Sequence, residues 1–282
     1  MKTVRIIPRL DIKGPNLVKG IHLEGLRVLG KPEDFAKYYY ENGADELFYQ
    51  DVVASLYERN SLGDIITATA KKSFIPLTVG GGIRTIEDIK NVLRLGADKV
   101  CINTAAIKNP DFIEKAAKKF GSSTIVVSIE AIKQPNGNYF AFIDNGREET
   151  GMEVVEWAKK IEELGAGEIL ITSVDNEGTG KGFDIELSKN ISNAISIPVI
   201  AHGGAGNLNH INEVFVNAKV ESVAIASILH YDFVAVQQSN MKNKTEGNTS
   251  YLNSGRNTFG KIEPNSIATI KAHLKEQKIN CR

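Results

Sequence analysis

The sequence has little of what marks secreted or membrane proteins. Its two cysteines, Cys101 and Cys281, are too few for a disulfide framework and lack the C-x-x-C spacing of a metal site. No apolar run approaches the roughly 20 residues that span a bilayer, and the first residues lack the long apolar core of a signal peptide. We therefore expect a cytoplasmic protein in which Cys101 is a buried strand residue.

Neither sign of charge is in excess. Lys+Arg and Asp+Glu each number 34, so the bulk charge gives no attraction to nucleic acid or to an anionic membrane. We expect neither as a partner. With 42% hydrophobic residues, the 282-residue chain is long enough to form one large α/β domain.

Short apolar runs alternate along the chain with segments of helical period. The helical segments, such as "TIEDIKNVLRLGA", place apolar residues three and four apart and end in small helix breakers. The apolar runs are "VRIIPRLDI", "ELFYQDVVAS", "FIPLTVGGGI", "KVCINTAA", "STIVVSIEA", "EILITSVD", "IPVIAHGGAG" and "SVAIAS". Eight βα units in about 250 residues predict a (β/α)8 TIM barrel or, failing that, a doubly wound sheet.

An internal repeat favours the barrel. "IPLTVGGGIRTIEDIKNV", from Ile75, is matched 122 residues later by "IPVIAHGGAGNLNHINEV", from Ile197. "GADELFY", from Gly43, is matched by "GAGEILI", from Gly165, at the same offset of 122. Two copies of a four-unit half barrel close naturally into a ring, so we expect residues 1–282 to form a single barrel domain.

Two carboxylates occupy equivalent places in the two halves. Asp11 ends the first apolar run, and Glu130 ends the fifth, in "IVVSIEAIKQ". A single glutamate at a strand end is most often solvated. Two acids at equivalent strand ends of a barrel face the same ligand, which is what general acid and general base catalysis requires.

Glycine clusters flank this pair. "VGGGIR" and "HGGAG" end the third and seventh runs, where backbone N–H groups can approach an anion, and "INT" and "IAS" end the fourth and eighth. A lone cluster would be a weak signal, because glycines also make tight turns. Two at symmetric positions predict a ligand with a phosphate at each end and with Asp11 and Glu130 between them.

These motifs together resemble the cyclase subunit of imidazole glycerol phosphate synthase, a glutamine amidotransferase barrel of histidine biosynthesis. The matching stretches include "IIPRLDIK", "LVKG", "GADELFYQDVVAS", "TVGGGIR", "GADKVCINTAA", "NGREETG", "EGTGKGFD" and "GGAG". The resemblance implies that ammonia from a separate glutaminase subunit passes through the barrel. It then reacts with a formimino aminoimidazole carboxamide ribotide to give imidazole glycerol phosphate and an aminoimidazole carboxamide ribotide. We expect no cofactor and no metal.

The resemblance also implies roles for individual residues. Asp11 and Glu130 match the two catalytic acids, and Lys19 matches a loop lysine that helps to hold the substrate. The residues implied for the two phosphate sites are Gly82, Asn103 and Thr104 for one, and Gly178, His202, Gly204, Ala226 and Ser227 for the other.

Further roles are implied at the opposite face, where the glutaminase partner is expected to bind as the second subunit of a heterodimer. The residues that match the ammonia gate are Arg5, Glu46, Lys99 and Glu168, and Asp98 matches a position that faces the partner. A ring of alternating charges also stabilises the bottom of a barrel, and an exposed aspartate is usually just solvated. Both structural alternatives stay open at this point.

Four residues depart from the family pattern. Glu130 and Glu177 replace aspartates, His202 replaces a serine, and Arg9 replaces a frequent cysteine. A lone histidine is most often structural, but the position of His202 beside a glycine cluster favours contact with the ligand.

The polar segment 237–265 is a further departure, an insertion before the C-terminal helix. Its low hydrophobicity is typical of a disordered surface insertion. Tyr251, Leu252 and Phe259 within it make a lid or a partner-contact loop the alternative.

The departures leave other functions open. One is a family paralogue that uses the same ammonia-fed barrel to form amidino sugars in surface polysaccharide biosynthesis. Another is a non-catalytic barrel that binds and activates the glutaminase. A related phosphosugar isomerase is disfavoured, because such an enzyme has no need of a charged gate.

Overall fold

A closed ring of eight parallel strands forms the centre of the molecule. The computed structural model describes residues 3–54, 62–240 and 261–282. Numbered in chain order, the ring strands are β1 (Arg5–Lys13), β4 (Leu47–Asp51), β5 (Leu77–Gly80), β6 (Lys99–Ile102), β7 (Ile125–Lys133), β10 (Glu168–Ser173), β11 (Val199–His202) and β12 (Ser222–Ile225). β12 pairs in parallel with β1 and closes the ring. The predicted (β/α)8 barrel is confirmed.

Helices follow the strands, as the apolar periodicity predicts. They are α1 (Pro32–Glu41), α2 (Gly63–Ala70), α3 (Ile86–Arg94), α4 (Thr104–Lys108), α5 (Asp111–Phe120), α6 (Val154–Glu163), α7 (Ile185–Ala194), α8 (Leu208–Ala218), α9 (Ser227–Asn240) and α10 (Ile267–Glu276). Side-chain caps fix the starts of α3 and α8, where Thr85 accepts from the Asp88 N–H and Asn207 accepts from the His210 N–H. Thr85 and Asn207 are 122 residues apart in the sequence, so the repeat extends to the caps.

Two antiparallel hairpins extend the ring. β2 (Asn16–Ile21) and β3 (Glu24–Gly30) follow β1, and β8 (Tyr139–Ile143) and β9 (Glu148–Glu153) follow β7. Each half of the barrel thus starts with a strand that carries an acid and continues into a hairpin. The expectation of Lys19 in a loop was wrong, because Lys19 is a buried residue of β2.

Among the described residues, buried apolar side chains form three clusters. The largest lies between the ring and the helices, and a small one, of Val18, Val52 and Val53, packs against the first hairpin. The cluster in the ring interior takes one side chain from each of seven strands: Ile7, Phe48, Cys101, Val126, Leu170, Ile200 and Ala224. The predicted burial of Cys101 is confirmed. This apolar layer separates two polar layers, one at each end of the ring.

The predicted insertion begins inside a helix, because α9 continues to Asn240. Residues 241–260, with Tyr251, Leu252 and Phe259, lie outside the described residues. Among the helices that the structure describes, none has the length and apolar character to cross a membrane.

Candidate active site

The two predicted catalytic acids lie buried at the carboxyl ends of β1 and β7. Asp11 is 4% exposed, and its Oδ1 accepts a hydrogen bond from Arg9 Nε at 2.9 Å. Glu130 is 7% exposed, and its Oε2 accepts from the backbone N–H of Gly146 at 2.8 Å. Gly146 belongs to the turn between β8 and β9, so the second hairpin completes the environment of Glu130.

Burial raises the pKa of Glu130 to about 7, although the Gly146 N–H and the positive charge of Arg9 oppose the shift. At neutral pH both the protonated and the ionised carboxyl are therefore available. A group in this state can act as a general acid or as a general base.

Arg9, on β1, contacts side chains of β10 and β11 as well as Asp11 on its own strand. It is 4% exposed, and its Nη1 lies 3.2 Å from His202 Nδ1 and 3.5 Å from Thr172 Oγ1. Burial, with the charges of Arg9 and Lys19, holds the pKa of His202 well below its usual range. His202 is therefore neutral, and two of the four departures from the family pattern are in direct contact.

A third departure engages Lys19. The Lys19 ammonium forms a buried ion pair with Glu177, whose second oxygen accepts from the Leu23 N–H at 2.9 Å. Lys19 also donates to the Gly20 carbonyl at 2.7 Å. The loop that follows β10 is thus tied to the first hairpin, and the lysine expected to hold substrate is bound to Glu177.

The first glycine cluster opens onto a cavity of about 380 Å³. Gly82, Asn103, Thr104 and Glu130 all line it, so the structure brings this predicted set together. Gly81 has a φ of +98°, and a Cβ there would lie 2.3 Å from the Asp51 carbonyl oxygen, so the turn requires glycine.

Polar and basic side chains line this cavity. Within the part of the chain that the structure describes, buried Asn103 Oδ1 has no hydrogen-bond partner. Arg84 and Lys108 also line the cavity and were missed by the sequence reasoning. Arg84 directly follows "GGGI", and a basic side chain there was the available signal.

The second glycine cluster surrounds much less space. Its cavity measures about 10 Å³, close to the minimum for one water molecule, although the predicted residues line it together. They are Gly178, His202, Gly204, Ala226 and Ser227. Buried Glu177 lines this cavity too. Both cradles are glycine turns after a strand, but the second is filled by buried side chains.

Four charged residues form a closed ring at the amino ends of the strands. Arg5 bonds Glu46 at 2.5 Å and Glu168 at 2.7 Å, and Lys99 bonds the same two carboxylates at 3.1 Å and 3.0 Å. The residues predicted for the ammonia gate are thus brought together. Alternating charges at this spacing also suit the structural alternative.

Asp98 lies beside this ring and has a structural contact. Its Oδ2 accepts from the Leu77 N–H at 2.8 Å, and Glu221 accepts from the Val199 N–H at 3.1 Å in the other half. The pair repeats at nearly the same offset in the sequence. Asp98 therefore helps to order β5, whether or not a partner touches it.

The chain is similar to known proteins. A family model described as "Histidine biosynthesis protein" matches residues 5–234. The chain belongs to this family. An imidazole glycerol phosphate synthase subunit HisF of Legionella pneumophila is 60% identical over 212 residues, which cover 75% of this chain and all of that protein. A HisF subunit of Methanocaldococcus jannaschii is 47% identical over 257 residues, which cover 84% of this chain and 94% of that protein. The resemblance to the HisF family is confirmed.

Proposed function

We propose that this chain is the ammonia-dependent cyclase subunit of an imidazole glycerol phosphate synthase. It converts a formimino aminoimidazole carboxamide ribotide and ammonia into imidazole glycerol phosphate and an aminoimidazole carboxamide ribotide. The observation that carries the proposal is the pair of buried acids, Asp11 and Glu130, at equivalent strand ends beside two glycine cradles. Relatives named as HisF subunits support it.

The two acids have different roles in this proposal. Asp11, paired with the Arg9 guanidinium, takes up protons as ammonia adds and the ring closes. Glu130, with a pKa of about 7, returns a proton to the departing group. One phosphate of the ribotide binds at Gly82, Asn103 and Thr104, where Arg84 and Lys108 add positive charge.

Ammonia comes from a glutaminase subunit that binds at the amino ends of the strands. The ring of Arg5, Glu46, Lys99 and Glu168 lies at that end, with the apolar interior layer between it and the two acids. An uncharged nitrogen passes an apolar layer at lower cost than ammonium does, because burying a charge is expensive.

The test is ribotide consumption with saturating ammonium for wild type, Asp11→Asn and Glu130→Asp. Asp11→Asn should abolish turnover, since an amide cannot serve as a base. Glu130→Asp should lower the rate by about 100-fold, because a shorter side chain displaces the carboxyl by about 1 Å. Wild-type turnover that survives Asp11→Asn would overturn the proposed roles.

A second candidate function is favoured by one observation. The second cradle, filled by His202 and Glu177, measures about 10 Å³ against about 380 Å³ for the first. This asymmetry fits an acceptor other than a ribotide with two phosphates, such as the sugar of an amidino-sugar pathway. In that case folded wild type turns over the ribotide poorly even with saturating ammonium, and Glu130→Asp improves that turnover.

The non-catalytic alternative has its own outcome. A barrel that only activates the glutaminase would raise glutamine hydrolysis by the partner while binding no phosphorylated ligand. Binding of inorganic phosphate at the Gly82 cradle, seen as a rise in the melting temperature of the protein, would exclude this alternative.

A further inference from the structure

We propose that Arg9 is a positioning residue that couples Asp11 to His202. One guanidinium orients the Asp11 carboxylate and fixes His202 as the neutral tautomer with its proton on Nε2. His202 then offers an N–H donor to the ligand in the second cradle. The inference rests on the proposed function for the role of Asp11, and its first test does not depend on any activity.

The guanidinium makes its contacts with separate nitrogens. Arg9 Nε donates to Asp11 Oδ1 at 2.9 Å, and Nη1 faces His202 Nδ1 at 3.2 Å and Thr172 Oγ1 at 3.5 Å. The planar group also lies over the Phe48 ring, with Cζ 5.8 Å from the ring centroid. Packing and hydrogen bonds thus hold Arg9 in one position between Asp11 and His202.

The tautomer of His202 follows from the chemistry of arginine. A guanidinium has only donors and stays protonated in proteins, so the atom that faces Nη1 must be an acceptor. His202 Nδ1 is therefore unprotonated. Thr172 Oγ1, 3.2 Å from the same nitrogen, can donate to it as well. In a neutral imidazole the proton then resides on Nε2.

This assignment decides what His202 can do for a ligand. His202 lines the second cradle with Gly204 and Ser227, and Nδ1 is already occupied by its bonds inside the barrel. Nε2–H is the hydrogen-bonding group that the ring has left for a phosphate oxygen or another acceptor. The charge of Arg9 is directed to Asp11, so His202 contributes a neutral donor to the cradle.

The two departures from the family pattern therefore act as one unit. A serine at position 202 can donate or accept without help from a neighbour, whereas a histidine needs its tautomer fixed. Arg9 fixes it and also holds Asp11, which a cysteine could not do.

The direct test is the nitrogen-15 NMR spectrum of histidine-labelled protein, with His202 assigned by its absence in His202→Ser. In wild type we expect Nε2 protonated and Nδ1 unprotonated. Arg9→Lys keeps the charge, but a single ammonium cannot reproduce the two-nitrogen fork, so we expect the His202 signals to shift toward a mixture of tautomers. A proton on Nδ1 in wild type, or a tautomer unchanged in Arg9→Lys, would overturn the inference.

A second test uses activity. A double-mutant cycle compares Arg9→Cys, His202→Ser and the double variant. The kcat/KM of the double variant should be about 10-fold higher than the value expected if the two single effects were independent and multiplied. Lys160→Ala, at an exposed position on α6, should combine with Arg9→Cys multiplicatively. Multiplicative losses for Arg9 and His202 would contradict the coupling. If folded wild type consumes no ribotide, the proposed function fails, and the wild-type spectrum still decides the tautomer.

Discussion

At the scale of the residue, the two central acids differ in their neighbours. Asp11 is bonded to a guanidinium, whereas the hydrogen bond to Glu130 Oε2 comes from the neutral N–H of Gly146. Burial therefore dominates at Glu130 and raises its pKa to about 7. Different environments for two carboxyl groups are what separates the roles of acid and base.

The raised pKa of Glu130 makes a prediction for stability. A carboxyl with an ordinary pKa of about 4.3 in the unfolded chain binds its proton more tightly in the folded state, so stability falls as pH rises from about 4 through 7. Glu130→Gln removes this titration. The effect of Glu130→Gln on the free energy of unfolding therefore depends on pH. We expect this effect to be more stabilising at pH 8 than at pH 4, by up to about 3 kcal/mol.

Urea denaturation at the two pH values measures this difference. Glu114→Gln, at a solvent-exposed position of α5, is the matched control and should not reproduce the gain. The same change for Glu130→Gln at both pH values would contradict the raised pKa.

Residue types were more predictable than their contacts. Asp11 and Glu130 follow from the repeat, because each ends an apolar run. The contact of Arg9 with His202 depends on which residues of β1 and β11 point inward at the same level, and these strands are not neighbours in the ring. The ion pair of Lys19 with Glu177 likewise joins a hairpin to a distant loop. Neither contact could be read from spacing along the chain.

At the scale of the element, the two hairpins were not predicted, for different reasons. The first turns at His22 and Leu23, which have φ values of +53° and +62° although neither is a usual turn residue. The second turns at Asp144, Asn145 and Gly146, which is a recognisable turn sequence. Neither strand of that hairpin, β8 or β9, was among the eight apolar runs.

The glycine turns after β5 and β11 give a prediction at this scale. Gly203 has a φ of +100°, and a Cβ there would lie 2.6 Å from the Ser173 carbonyl oxygen. Gly137 has a φ of +88° and open space around its Cβ position. Both alanine variants are strained by the positive φ, but only Gly203→Ala also clashes with backbone.

Gly203→Ala should therefore lower the free energy of unfolding by about 2 kcal/mol more than Gly137→Ala does. The midpoints of urea denaturation of the two variants measure this. Equal losses would mean that the backbone at Ser173 moves away freely, and the tight turn would then not be required.

At the scale of the whole molecule, the duplication explains why the barrel could be predicted. Equivalent caps, glycine turns and acidic residues recur at offsets near 122 and occupy equivalent places in the ring. The difference in size between the cradles could not be predicted, because it depends on how His202 and Glu177 pack. Whether the insertion 237–265 is a disordered surface segment or a lid stays a prediction, because residues 241–260 lie outside the described residues.

The charged ring gives a prediction for the whole path of ammonia. Lys99→Met leaves Arg5 as the cationic partner of Glu46 and Glu168 in the ring. The change should perturb the entry of ammonia and leave the catalytic pair, Asp11 and Glu130, intact. We expect glutamine-driven turnover with the partner to fall about 10-fold more than ammonium-driven turnover, which corresponds to about 1.4 kcal/mol in the entry barrier.

Lys271→Met is the control for that experiment. Lys271 pairs with Asp45 at 2.7 Å rather than with the ring, so its loss should affect both nitrogen sources alike. Equal losses with the two sources in Lys99→Met would mean that the ring is structural only.

The most direct test of the central claim is the fate of nitrogen-15 ammonium supplied with the formimino ribotide. The account predicts that wild type places the label in imidazole glycerol phosphate, detected by mass spectrometry, and that Asp11→Asn places none there. A folded wild type that binds the ribotide yet leaves imidazole glycerol phosphate unformed at saturating ammonium would contradict it.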